Sequence, residues 1–293
     1  MRVVSFRIDG RESYGLVDPN ADMNDVDASV VEVPTLGGDV PADAVAFIAA
    51  DAVVRADVAS RAASVAGVPL SQLDLLPAVP HPGNVICIGV NYLDHAIESG
   101  LTAAPEFPVI FMKLSSAIAA HGQDVVDPGV TASMDYEAEL GVVISRAAYR
   151  VEEEDALDYV GGYVAMNDVS ARDYQHRTGQ WVQGKSFPTF APTGPYLVTP
   201  DEFGDPQDSR VRFILNGAVM QDQPTSDMIF SVRTLVSYLS TIARLQPGDI
   251  IATGTPSGIG AALDPPVVVR PGDIMRVEVQ GLPPLENRVV ARA

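Results

Sequence analysis

The sequence predicts an α+β fold: a strand-rich core with few helices from about residue 76 onward, preceded by a small α/β module in residues 1–75. Three observations predict it. From Val85 onward short β-type runs dominate, punctuated by turns at Pro247-Gly248 and Pro271-Gly272. Before them comes a hairpin pattern, Val3 to Ile8 and Tyr14 to Val17 joined through Asp9-Gly10. An Ala-rich helical stretch follows from about Ala42 to Ala66, with Val45, Ile48, Ala49 and Ala52 at helical spacing. The run Pro77-Ala78-Val79-Pro80-His81-Pro82-Gly83 interrupts regular structure and divides the chain once. The N-terminal module reads as structural or dimer-supporting, because every chemistry-bearing motif lies beyond it.

Composition narrows the function classes. With 47% apolar and 19% charged residues in 293, the chain can bury a large core. A formal charge of −19 argues against a nucleic-acid partner. No run is long and apolar enough for a membrane span, and the first ten residues read as a strand rather than a secretory leader. The single cysteine, Cys87, rules out an intrachain disulfide and fits a reducing, cytoplasmic setting; its apolar neighbours suit a buried packing residue.

The most informative segment is Ser133-Met134-Asp135-Tyr136-Glu137-Ala138-Glu139-Leu140-Gly141-Val142-Val143-Ile144. Its alternation predicts one strand with Glu137 and Glu139 on a shared face and Asp135 behind them. Carboxylates that close repel each other, and a divalent cation removes the conflict. The plainer alternative is a half-exposed strand with an acidic face. A second β-type run, Val160 to Asp168, ends in a carboxylate placed to be a third ligand. Ser170 is the candidate N-cap of a following helix, on which Arg172 and Gln175 share a face beside Asp168. Three oxygen ligands without His or Cys suit Mg²⁺, Mn²⁺ or Ca²⁺ rather than Zn²⁺.

Six segments in order now carry a resemblance. Gly89-Val90-Asn91-Tyr92-Leu93-Asp94-His95-Ala96-Ile97-Glu98, Asp135 to Leu140, Asn167 to Gln175, Gly184-Lys185-Ser186-Phe187, Ala191-Pro192-Thr193-Gly194-Pro195 and Gly248 to Pro256 resemble the fumarylacetoacetate hydrolase family over roughly residues 80 to 290. The resemblance implies a mixed β-roll core and a homodimer. It also implies a small anionic 2-oxo or diketo acid as substrate, with Glu137, Glu139 and Asp168 as metal ligands. Asn91, Tyr92, Lys113, Arg172, Gln175 and Thr255 become candidate substrate contacts.

His95 and Glu98 lie three apart on a helix-like stretch, so the carboxylate can orient the imidazole and raise its basicity. A local surface ion pair is the alternative. In similar proteins the segment is a mobile lid whose His–Glu pair activates water; Gly89 and Gly100 are its candidate hinges. Lysines are scarce, with only Lys113 and Lys185 in the chain, so both carry weight for an anionic substrate. Leu114 stands where relatives often have Pro. Thr253-Gly254-Thr255-Pro256-Ser257-Gly258 lacks the Gly-Lys-Ser/Thr ending of a phosphate loop. His81, His121 and His176 have no ligand spacing, and Trp181 reads as a packing residue.

The implied reaction is hydrolysis of a carbon–carbon bond in an acylpyruvate-like or fumarylacetoacetate-like acid. His95 and Glu98 would activate water, and Lys185 would hold the leaving enolate. The alternatives are decarboxylation or isomerisation of a 2-oxo or 2-hydroxymuconate-type acid, and a non-catalytic metal-binding role. Val90 stands where some relatives that cleave acylpyruvates and decarboxylate oxaloacetate have Arg, which disfavours that subgroup.

Overall fold

The computed structural model describes residues 1–292. Strands β1 (Arg2–Ile8) and β2 (Arg11–Val17) form the expected hairpin, turning at Asp9 and Gly10 with φ of 50° and 75°. Two positive φ angles in a two-residue loop match the right-handed twist of the strands, and Asp-Gly supplies them at low steric cost. β3 (Ser29–Glu32) pairs with β2. The expected helix over 42–66 is instead two: α1 (Ala44–Ala49) and α2 (Ala52–Ala62). The break follows from two caps, since Asp43 accepts from Ala46 N–H and Asp51 from Val54 N–H. The buried face of α1 is Ala44, Phe47 and Ile48, while Ala49 and Ala52 are exposed. β4 (Val68–Pro69) and β5 (Asp74–Leu75) close this part.

Beyond the Pro-rich run come β6 (Val85–Gly89), α3 (Leu93–Glu98), β7 (Val109–Lys113), β8 (Ile118–Ala120) and β9 (Val125–Asp127). The acidic segment forms β10 (Met134–Asp135) and β11 (Ala138–Ile144) and leads through a 3₁₀ turn to β12 (Val160–Asn167). Then follow β13 (Ser170–Ala171), α4 (Arg172–Gln175), α5 (Val182–Lys185), β14 (Ala191–Thr193), β15 (Leu197–Val198) and α6 (Pro200–Phe203). The chain finishes with β16 (Arg210–Leu215), β17 (Ala218–Pro224), α7 (Val232–Ile242), β18 (Ile250–Ala252), β19 (Ile274–Val279) and β20 (Leu285–Ala291).

Thirteen strands make one mixed sheet, ordered β4-β3-β2-β1-β15-β12-β11-β18-β6-β7, with β5, β8 and β14 off that path. A five-stranded sheet, β17-β16-β19-β20-β9, packs beside it. This is a strand-rich α+β architecture with few helices, as the sequence predicts. The N-terminal hairpin is hydrogen-bonded into the large sheet, because Arg2 and Val3 of β1 pair with Val198 and Leu197.

The acidic segment departs from a single strand. Tyr136 and Glu137 lie between β10 and β11, and the Tyr136 ring stacks on Phe213 of the second sheet at 4.0 Å. Both faces of β11 are buried, so the half-exposed reading of this strand fails. A strand between two others under a second sheet has no solvent face to give its polar residues, so Glu139 must find its partners inside.

Candidate functional site

Register brings the three acids together. β11 and β12 pair antiparallel with Ala138 opposite Asn167 and Glu139 opposite Met166, so Asp168 follows directly beside Glu137. Asn167 Oδ1 accepts the Glu137 N–H at 3.1 Å. One carboxylate oxygen each from Glu137, Glu139 and Asp168 lies within 4.8 Å of the others, and all three residues are buried.

Cations pair with two of these acids and leave the third. Lys185 Nζ donates to Glu137 Oε2 and to Asp168 Oδ2, each at 2.8 Å. Lys113 donates to Asp168 Oδ1 and, at 3.0 Å, to the Val169 carbonyl. Arg172 Nη1 donates to Glu137 Oε1 and, at 3.0 Å, to Gln175 Oε1. Burial opposes ionisation of Glu137, but Lys185 and Arg172 hold its carboxyl well below the usual range. Glu139 receives one backbone donor, Gly254 N–H at 2.8 Å, and faces no cation at contact distance. Burial, then the charges of Asp168 and Glu137, push its carboxyl well above the usual value. Hard oxygen donors converging on a buried, under-neutralised carboxylate fit a divalent cation with oxygen preference.

Arg172 pairs not with Asp168, beside which its helical spacing suggests it, but with Asp135 and Glu137, which it clamps together. Its Nε donates to Asp135 Oδ2 at 2.9 Å. Asp135 also accepts Gly260 N–H at 2.8 Å and Ala261 N–H at 3.1 Å, which fixes the loop over the cavity. Ser170 does not cap a helix: it lies in β13, and its hydroxyl donates to the Asp168 carbonyl at 3.0 Å. Gly184 allows α4 and α5 to touch, since a Cβ there would lie 2.4 Å from Gln175 N. That close approach delivers Lys185 to the acids.

On the opposite wall, α3 presents His95. Its Nδ1 lies 2.7 Å from Glu98 Oε1, leaving Nε2 free, and Glu98 Oε2 accepts Gly258 N–H at 2.9 Å. The helix-like stretch is a helix over Leu93–Glu98. On its far side Gly100 has a φ of 87° with open space around it. On the near side the left-handed φ, 58°, falls on Val90 and not on Gly89. For a β-branched residue that conformation is strained, by about 1–3 kcal/mol. Gly89 serves close approach instead: a Cβ there would lie 2.4 Å from the Trp181 ring.

His95, Glu98, Glu137, Arg172, Gln175, Lys185 and Thr255 all line one cavity of about 320 Å³, within the range of small-molecule sites. Asn91, Tyr92 and Lys113 are buried behind it. The Asn91 amide is spent on the Phe230 and Thr253 carbonyls and on Phe230 N–H. The Thr255 hydroxyl donates to the Ala138 carbonyl at 2.9 Å and accepts from Gln221 at 2.8 Å. Gln221 therefore supports the site, which local pattern gives no way to see. Trp181 packs against the core and lines the cavity as well.

Residues 84–290 match the family profile described as "Fumarylacetoacetate (FAA) hydrolase C-terminal". The chain belongs to the fumarylacetoacetate hydrolase family. It is 40% identical over 222 residues to the mitochondrial oxaloacetate tautomerase fahd2 of Xenopus laevis, covering 75% of this chain and 69% of that protein. A 5-carboxymethyl-2-hydroxymuconate delta-isomerase from Mycobacterium smegmatis superposes with a TM-score of 0.78 at 31% identity, over 100% of both chains. A maleylpyruvate hydrolase from Sphingobium sp. SYK-6, in complex with manganese (II) and pyruvate, superposes with a TM-score of 0.82 at 27% identity, over 100% of both chains. The family is thus enzymatic, with hydrolase, isomerase and tautomerase members among these relatives. Among the described residues, no helix is long and apolar enough to cross a membrane.

Proposed function

We propose that this chain hydrolyses a carbon–carbon bond in a diketo acid, with the 2-oxo acid end of the substrate held at Glu137, Glu139, Asp168 and Lys185. The observation that carries the reading is the His95–Glu98 pair at 2.7 Å, lining the same cavity as Glu137 and Lys185, with Glu139 and Asp168 clustered on Glu137. A divalent ion (Mg²⁺ or Mn²⁺) held by Glu137, Glu139 and Asp168 supplies electrostatic stabilisation of the charge that develops on the substrate oxygens.

The chain's own groups do the rest. Glu98 accepts the Nδ1–H of His95 and is itself fixed by Gly258 N–H, so Nε2 is the basic nitrogen. His95 Nε2 takes the proton of a water that attacks the carbonyl remote from the anchored end. As the carbon–carbon bond breaks, Lys185 donates to the departing enolate oxygen, and His95 returns the proton. Arg172 keeps Glu137 ionised and in place.

A second reading is favoured by the oxaloacetate tautomerase relative at 40% identity: proton transfer between keto and enol forms, which needs His95 but no attacking water. Turnover of a panel of acylpyruvates and oxaloacetate, with products identified, separates the two. Cleavage products from an acylpyruvate support hydrolysis; keto–enol exchange of oxaloacetate without cleavage of any diketo acid supports the second. A cytoplasmic homodimer completes the reading, and a monomer mass by light scattering at micromolar concentration would count against it.

A further inference from the structure

The cavity has two unlike halves, and Phe111 marks the boundary. Lys185 Nζ, bonded to Glu137 and Asp168, lies 4.9 Å from the centroid of the Phe111 ring. From there the lining turns apolar. The Phe111 and Trp181 rings meet at 5.2 Å, Trp181 lies on the Gly89 backbone, and Val90 and Leu101 continue the wall.

This wall has no charge of its own to offer. Among the described residues that line the cavity, Arg172, Lys185 and His95 each already face a carboxylate, and the remaining imidazole, His176, is solvent-exposed. Around the acids, four carboxylates (Asp135, Glu137, Glu139, Asp168) meet three cations (Lys113, Arg172, Lys185). A divalent ion brings that cluster to one net positive charge, which one substrate carboxylate neutralises. A second carboxylate would be desolvated against Phe111 and Trp181 with no cation left to pair with it.

We infer that Val90, Leu101, Phe111 and Trp181 form a specificity wall for an uncharged substrate end. The chain then selects 2-oxo acids with a single carboxylate and an aliphatic or aryl group over dicarboxylates of the same length. The inference rests on the proposed anchoring of the 2-oxo acid end at Lys185 and the acidic triad. It sets this chain apart from a relative named for maleylpyruvate, a dicarboxylate.

Trp181 is the chain's one tryptophan, so its emission reports the wall directly. The experiment titrates the full-length, Mg²⁺-loaded protein with pyruvate, 2-oxohexanoate and 2-oxoadipate. Each added methylene should tighten binding about three- to fourfold, so 2-oxohexanoate should bind more tightly than pyruvate. 2-Oxoadipate, equal in length but doubly charged, should bind at least about tenfold more weakly than 2-oxohexanoate. Leu101→Arg supplies the missing cation at an exposed position and should reverse that order. Equal or tighter binding of 2-oxoadipate to the unaltered chain overturns the inference and leaves the 2-oxo acid reading standing. A Leu101→Arg protein that keeps the original order overturns the claim that missing positive charge sets the preference. If none of the three acids perturbs Trp181, both the inference and the anchoring beneath it fall.

Discussion

The backbone N–H of Asp168 donates to the carbonyl of Glu137 at 2.8 Å, so two of the three converging acids are fastened to each other through the main chain. Their separation therefore does not depend on side-chain choice. Glu139 follows from the same β11–β12 register, and only its carboxylate lacks a cation at contact distance.

That imbalance makes Glu139 the residue most sensitive to metal. Chelation should abolish turnover, and Mg²⁺ or Mn²⁺ should restore it. Glu139→Gln should lose Mn²⁺ binding by about 100-fold or more, because it removes an anionic ligand, while keeping the fold, because burial and the neighbouring acids already oppose ionisation of this carboxyl in the metal-free protein. Calorimetric Mn²⁺ titration checks affinity, and circular dichroism checks the fold; unchanged affinity would mean the ion sits elsewhere.

His95 and Lys185 should separate by reaction. His95→Ala should slow acylpyruvate cleavage by about 10²–10⁴, since it removes the base that deprotonates water. Decarboxylation of oxaloacetate, where no water attacks, should suffer less. Lys185→Ala should damage both, by about 10²–10³, as both develop charge at the same oxygen. Steady-state kinetics with both substrates decides it, and intact cleavage in His95→Ala would make the dyad structural.

Gly184 predicts a purely steric effect on activity. A Cβ would lie 2.4 Å from Gln175 N and 2.6 Å from the Ala171 carbonyl, both backbone atoms that cannot swing away. Gly184→Ala should cost about 1–3 kcal/mol in denaturant unfolding and displace Lys185 from the acids. An unaltered midpoint and rate would show that α4 and α5 tolerate the wider spacing.

His121, far from the acids in sequence, should give a pH signature. Its Nδ1 accepts Glu286 N–H at 3.1 Å, and burial holds its pKa below the usual 6.5 despite the nearby Glu286 carboxylate. The unfolded chain then binds more protons than the folded one below about pH 6.5. This group's contribution favours the fold above that pH and is lost as pH falls toward the depressed value. His121→Asn, which keeps an acceptor, should flatten the melting temperature between pH 7 and 5. An unchanged slope would assign the acid sensitivity to other groups.

Much of this was legible in the residues, for reasons that differ by element. Asp9-Gly10 announces its hairpin because few other pairs tolerate two positive φ angles. Glu137, Glu139 and Asp168 can be read as a cluster because clustered acids at strand spacing demand a counter-charge. The break at Tyr136 is invisible locally, since it depends on stacking against Phe213, far along the chain. The partners of Arg172 are hidden from local pattern for a related reason. Helical spacing gives the face a side chain points from, whereas its partners, Asp135 and Glu137, are set by the β10–β13 pairing. The division of helix 42–66 was available in the sequence, as Asp51 is a good N-cap, but apolar spacing masked it.

The pairing of Arg2 with Val198 also fixes an order of events during synthesis. Strand β1 leaves the ribosome long before its neighbour in the sheet exists. At about 5–20 residues per second the wait is about 10–40 s. During that interval β3 covers one side of the hairpin and β5 pairs with Phe6 and Arg7 on the other, but the Arg2 and Val3 end of that second edge stays open to any strand that passes. A nascent chain of this protein should therefore be most vulnerable to misassociation between completion of the hairpin and emergence of residues 197–198, which is when a chaperone would have most to protect.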